Sequence, residues 1–196
     1  LKDVHPATVL IVEDDTTIRM ELRAMVSRLG HTVVGEADNG GIALAMVRSQ
    51  RPDVVLLKVA LPSLSGWEVA RTLNDERLAP VILFTEESTG NITAQLQAVG
   101  ALGFLSIPLR ESDLGPSIAI AVARFKEKIT LEEEVQNLNE RMEARKLVGR
   151  AKAILMERHG LSERDAFRRI QNQSITLNRP VHEIARAIIT ASDIAG

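Results

Sequence analysis

The sequence predicts an α/β fold, a doubly wound five-stranded parallel sheet, followed by a long coiled-coil helix and an all-α three-helix domain. Three observations predict it. Five short apolar runs alternate with segments of helical period between Thr8 and about Phe125. Beyond Asp113 the helical signal continues almost unbroken to His159. The charge also changes sign: residues 141–196 carry eleven Lys/Arg against six Asp/Glu, whereas residues 1–140 carry 13 against 20. Together these divide the chain into a sheet domain (1–125), a coiled-coil linker helix (126–140) and a three-helix domain (141–196).

The apolar runs TVLIV (8–12), HTVVG (31–35), DVVLL (53–57), PVILF (80–84) and LGFL (102–105) are rich in β-branched residues and too short for helices. Amphipathic segments near 17–29, 40–50, 66–76 and 91–99 separate them, and a last one starts at Ser112. Strictly alternating strands and helices, joined by right-handed crossovers, place ligand chemistry at the carboxyl edge of a parallel sheet. In the long helix, Ile118, Val122, Phe125 and Ile129 step by three and four, then Leu131, Val135, Leu138 and Met142 do the same. The step from Ile129 to Leu131 breaks phase, so a composite dimer interface is expected, part globular and part coiled coil. A helix packed on its own domain is the alternative. Gly160 is expected to close this helix in the left-handed conformation, Ser162 to cap the next with Asp165 at the third position, and Asn178 to cap the last with Pro180 in its first turn.

Composition narrows the function class. With 45% apolar and 26% charged residues the chain has material for a core and is neither fibrous nor disordered. It has no cysteine, which removes disulfides, thiolate metal sites and cysteine nucleophiles. No apolar stretch approaches the roughly 20 residues of a membrane span, and a soluble, cytoplasmic protein is expected. The basic tail fits a polyanionic partner, although arginines that merely solvate helix faces give the same count.

At the end of the first strand, VLIVEDD places Glu13 and Asp14 side by side, an arrangement suited to a hard cation such as magnesium. PDVVLLKVALPSLSG, ILFTEES and GFLSIP follow the third, fourth and fifth strands. With the five-fold alternation, these motifs resemble the receiver domain of bacterial response regulators over residues 7–126, which implies a flavodoxin-like sheet. The resemblance implies that Glu13 and Asp14 match the magnesium-binding pair, Thr85 the phosphate-contacting hydroxyl, and Pro108 the last loop. Three positions depart from it. Lys58 stands where the acceptor aspartate belongs, Ile107 where the neutralising lysine belongs, and Glu86 where a small residue is usual. An ammonium cannot form an acyl phosphate, and two cations about 4 Å apart repel by roughly 4 kcal/mol at an effective dielectric near 20. Lys58 is therefore expected to replace the metal and pair with Glu13 and Asp14, leaving no magnesium site and no bound cofactor; the alternative is a lysine directed into solvent. An engineered substitution would explain Lys58 but not Ile107 and Glu86, which favours a naturally degenerate pseudo-receiver.

The tail carries RAKAILMERHG, DAF and EIARAII. From about Met142 to Ile189 it resembles the ANTAR domain, an RNA-binding antitermination module often fused behind receivers, with Ala153 and Ser174-Ile175 replacing the commoner glycine and small-Met pair. The resemblance implies a dimer that binds paired stem-loops in a nascent leader transcript. Arg141, Arg145 and Lys152 recur on one helix face and Arg164 and Arg168 on the next, where cationic side chains suit phosphates. Phe167 is read as core, His159 as a helix-end cap, and no metal site is expected.

The expected function is thus a non-enzymatic transcription antiterminator, dimerising through Ile118, Val122, Phe125, Leu131, Val135, Leu138 and Met142, and open to a protein regulator acting on the receiver-like domain. Two rivals stand beside it. One is a response regulator phosphorylated at another acidic residue such as Asp15. The other is a DNA-binding transcription factor, against which no helix pair with a three- to four-residue turn is evident in the tail.

Overall fold

The computed structural model describes residues 6–86 and 92–194, the side chain of Ile194 excepted. Two compact units divide at residues 130 and 131, inside the segment read as linker. The first unit alternates β1 (Thr8–Val12), α1 (Thr16–Arg28), β2 (Thr32–Ala37), α2 (Gly40–Gln50), β3 (Val54–Lys58), α3 (Gly66–Asp75), β4 (Val81–Thr85), α4 (Ile92–Val99) and β5 (Gly103–Ser106). Helix α5 (Glu111–His159) follows, then α6 (Glu163–Leu177) and α7 (Val181–Ile194).

All the strand pairs are parallel, in the order β2-β1-β3-β4-β5. The chain winds outward in both directions from β1 and β3, which opens a crevice at their carboxyl ends. Period-two alternation sorts the buried strand residues onto two faces. Leu10, Val12, Val55, Leu57, Val81 and Leu83 meet Ala43 and Val47 of α2 and Val69, Ala70 and Leu73 of α3. Val9, Ile11, Val54, Leu56, Ile82 and Phe84 meet Leu22 and Val26 of α1 and Leu114, Ile118 and Ala121 of α5. Both faces being covered explains why these strands read as continuous apolar runs. Each fully buried Leu, Ile or Phe favours this arrangement by about 1.5–3 kcal/mol over exposure.

Local signals fix the helix starts. Asp15 caps α1, its Oδ1 accepting from the amides of Thr17 and Ile18 at 2.7 and 3.1 Å. Ser65 and Glu68 form a reciprocal capping box on α3, and these bonds hold the Glu68 carboxyl below the ordinary range. Gly66 is required by close approach: a Cβ there would lie 2.2 Å from the carbonyl oxygen of Lys58.

The second unit packs Ala151 and Leu155 of α5, Ala166 and Ile170 of α6, and Ile184, Ala185 and Ile189 of α7. Gly160 takes a left-handed φ of 63° after α5, and Ser162 caps α6 through the Asp165 amide. Asn178 does not cap α7 as the sequence suggested. It closes α6 at φ 49°, ψ 46°, its amide donating to Ile175 O and that of Arg179 to Ser174 O. The α6–α7 connection is then only residues 178–180, so the argument from turn length against a helix-turn-helix fails. Phe167, read as core, is 39% exposed; Ile170 takes the core position on that helix.

Candidate functional site

The pocket follows from strand register. Val12 of β1 pairs with Leu57 of β3, so the next residues, Glu13 and Lys58, face each other at the sheet edge; alternation puts both on the α1/α5 face. The backbone there is held by amide donation from Val59 to Phe84 O at 2.9 Å and from Gly66 to Val59 O at 2.8 Å.

Lys58 Nζ donates to Glu13 Oε1 and to Asp14 Oδ1, both at 2.7 Å. Glu13 is fully buried, the Lys58 side chain is 15% exposed and that of Asp14 42%. Glu13 Oε1 also accepts from the Asp15 amide at 2.9 Å. Its Oε2 is buried with no hydrogen-bond partner among the described residues. Burial pushes the Glu13 carboxyl above its ordinary range despite its bonds to Lys58 and the Asp15 amide. The Lys58 bond holds Asp14 below its own. Burial alone would pull Lys58 down; its bonds to Asp14 and Glu13 outweigh that and raise it, so the ammonium stays charged. Arg19, which the sequence reading passed over, donates to Glu13 O at 2.5 Å and lies 3.4 Å from Glu36 Oε2. Its i to i−6 reach has no periodic signature that could have disclosed it.

These residues do not fit magnesium. The ion demands near-octahedral oxygen ligation at about 2.0–2.1 Å, while here the facing carboxylate oxygens are bonded to an ammonium and β3 ends in a cation instead of a third carboxylate. Nor does the edge carry a phosphoryl acceptor at the β3 position. Thr85 is buried at the end of β4 and Glu86 beside it is exposed. Glu87 and Ser88 of the same motif lie outside the described residues. Ile107 donates its amide to Thr85 O at 3.0 Å, and its side chain packs among the apolar residues of the α1/α5 face. The Ile107–Pro108 peptide bond is cis. Asp15, the acceptor in the rival reading, has one carboxylate oxygen committed to the α1 cap.

In the second unit Arg141, Arg145, Arg164 and Arg168 are exposed. Lys152 differs: its side chain is 24% exposed and Nζ donates to Glu163 Oε1 at 2.5 Å. That bond holds Glu163 below the ordinary carboxylate range. The apolar stripe on α5 also divides. Ile118 is fully buried in the α1/α5 core and so is not open to a partner, contrary to the expected interface, while Val122 packs against that core and is half-buried. Phe125 is half-buried. Leu131, Val135, Leu138 and Met142 are 54–58% exposed.

Residues 9–119 match the family model of the response regulator receiver domain, and residues 136–189 that of the ANTAR domain. The transcriptional regulatory protein PdtaR of Mycobacterium tuberculosis is 38% identical over 184 residues, covering 94% of this chain and 90% of that protein. Protein PilH of Pseudomonas aeruginosa is 34% identical over 122 residues, 60% of this chain and 98% of its own. Among solved structures, the signal receiver domain of a modulated diguanylate cyclase from Desulfovibrio desulfuricans G20 superposes with a TM-score of 0.59 at 30% identity, covering 63% of this chain and 99% of that one. Both matched domains are regulatory rather than catalytic. With each unit matched and one relative similar along nearly the whole chain, this protein belongs to the response regulators that join a receiver domain to an ANTAR domain, regulators of the antitermination type.

Proposed function

We propose that this regulator is a cytoplasmic, non-enzymatic antiterminator that binds stem-loop RNA in nascent leader transcripts as a homodimer, with a receiver that takes no phosphoryl group at the usual position. The observation that carries the second half is the Lys58 ammonium 2.7 Å from both carboxylates of the acidic pair. It supplies the positive charge a metal would, and it puts an amine that cannot form an acyl phosphate where an acceptor would stand. Control must then reach the receiver through a protein partner or through the RNA itself.

The RNA half is supported by the ANTAR match and by the exposed Arg141, Arg145, Arg164 and Arg168. Dimerisation is supported by Leu131, Val135, Leu138 and Met142, spaced four, three and four residues apart and open on α5. The test is a titration against a two-hairpin RNA and a DNA duplex of equal charge. If about five phosphates are neutralised, log affinity for the hairpins falls against log salt with a slope of roughly −3.5. Equal affinity for the duplex favours the DNA-binding alternative, which the three-residue α6–α7 turn makes a necessary arm. Acetyl phosphate is expected to add no mass; one added phosphoryl group refutes the receiver assignment. Sedimentation as a monomer, with and without RNA, refutes the dimer.

A further inference from the structure

The end of α5, the middle of α6 and the end of α7 enclose a cavity of about 220 Å³. Its floor is apolar, formed by buried Leu155 and half-buried Ile154 and Ile188. Its rim is cationic and polar: Arg158, His159, Arg169 and Gln173. No acidic residue lines it. Arg158 Nη2 donates to the Ser192 carbonyl at 2.9 Å, which ties the end of α5 to α7 and commits the guanidinium to the rim instead of to the carbonyls of its own helix end. Arg169 and Gln173 also line a second cleft of about 520 Å³, shared with Arg168, Asn172 and the acidic Asp165, so the two depressions meet along one ridge of α6.

We propose that this cavity seats one unpaired nucleobase of the RNA, with the adjoining phosphates on Arg158 and Arg169. The inference rests on the RNA-binding reading and names the place where sequence would be read. A cationic rim alone would suit any anion, but an apolar floor adds nothing for a bare phosphate. An apolar floor alone would suit any side chain, but a rim of arginines free of carboxylates selects a polyanion. A base on its sugar-phosphate needs both: ring faces against aliphatic carbon and guanidinium planes, polar edges against a group that can donate and accept, and charge for the backbone. Gln173 is such a group. At about 220 Å³ the space lies below the roughly 300–1,000 Å³ typical of drug-sized ligands, which limits the occupant to a single ring system. None of its cations belongs to the stripes legible in the sequence, and the most conspicuous residue of those stripes, Lys152, is already bonded to Glu163.

The experiment uses the full chain and a pool of two-hairpin RNAs with fixed stems and randomised loops. Ala191 lines the cavity and is exposed on α7, so Ala191→Met fills the space while leaving charge and helix propensity nearly unchanged. Wild type is expected to enrich one base at a loop position. In Ala191→Met that enrichment disappears and affinity falls by about tenfold, the usual order for losing one seated base, with the salt slope unaltered. Gln173→Ala loses the enrichment without adding bulk, which guards against a packing artefact in the first variant. Arg169→Ala is expected to make the slope shallower by about one phosphate contact. If Ala191→Met and Gln173→Ala both keep wild-type affinity and loop preference, the base site is overturned while RNA binding stands. If wild type itself holds duplex DNA as tightly as the hairpins, the RNA reading fails and the base site falls with it.

Discussion

Replacing Lys58 by methionine removes the charge at the sheet edge while keeping most of the side chain's volume. The variant leaves Glu13, fully buried, and Asp14 facing each other without the ammonium that donates to both at 2.7 Å. Stripping one partner from a fully buried pair costs about 3–5 kcal/mol. Asp14 is 42% exposed, so solvent screens its share. The expected loss near pH 7 is therefore about 2 kcal/mol, a large fraction of the stability of an ordinary domain. Urea unfolding followed by Trp67, the single tryptophan, reads the first unit directly. The pH arm carries the sign. In wild type, Asp14 has a lowered native pKa, so its contribution is present above the usual carboxylate range and is lost as pH falls through the native value. In the variant, burial and mutual repulsion raise both carboxyls, the native state binds more protons than the unfolded one, and lowering pH restores stability. The deficit must shrink between pH 7.5 and pH 5. A variant as stable as wild type, or a deficit that does not change with pH, would refute the reasoning.

Lys58→Asp replaces the ammonium with a third carboxylate beside Glu13 and Asp14 and is expected to bind divalent cations more tightly than wild type; calorimetric titration of both with magnesium and manganese checks it, and no heat for the variant counts against the reading of the pocket. His31 is buried, and its Nδ1 accepts from the Ala7 amide at 3.1 Å, an arrangement that needs the neutral ring; burial lowers its pKa below 6.5. Its stabilisation is complete above that value and lost as pH falls toward the native pKa, by up to about 1.4 kcal/mol per unit. The difference between wild type and His31→Gln in urea midpoint at pH 7.5 and 5.5 measures it. Gly66→Ala forces a carbon to within 2.2 Å of Lys58 O, so a loss of about 2 kcal/mol or more is expected in the same unfolding assay.

Hydropathy locates every strand of the sheet to within two residues, and its misses run in an informative direction. Apolar continuity predicts the last three strands over 53–57, 80–84 and 102–105, and each ends one residue later, on Lys58, Thr85 and Ser106. A criterion of apolar continuity drops a polar terminal residue, and at the carboxyl edge of a parallel sheet the polar terminal residue is the one that faces the crevice. Ile118 was misassigned for a related reason: a helical stripe records that one face is covered, not whether the cover is the chain's own sheet or another copy. The basic stripe gives no sign that Lys152 is bonded to Glu163, because that partner lies eleven residues on, across a chain reversal, where spacing carries no signal. Asn178 suits a helix start and a left-handed helix end equally well. Only the paths of the neighbouring helices decide between them.

A cation attached by its own side chain cannot be diluted away. Occupancy of a metal site obeys mass action, and the stability it confers rises and falls with the free ion concentration. The ammonium of Lys58 has no such reservoir: chelators cannot remove it and a fluctuating magnesium pool cannot modulate it. On the function proposed above, such a receiver would keep a resting charge balance set by its own covalent chain, a constant against which the arrival of a macromolecular partner can be read.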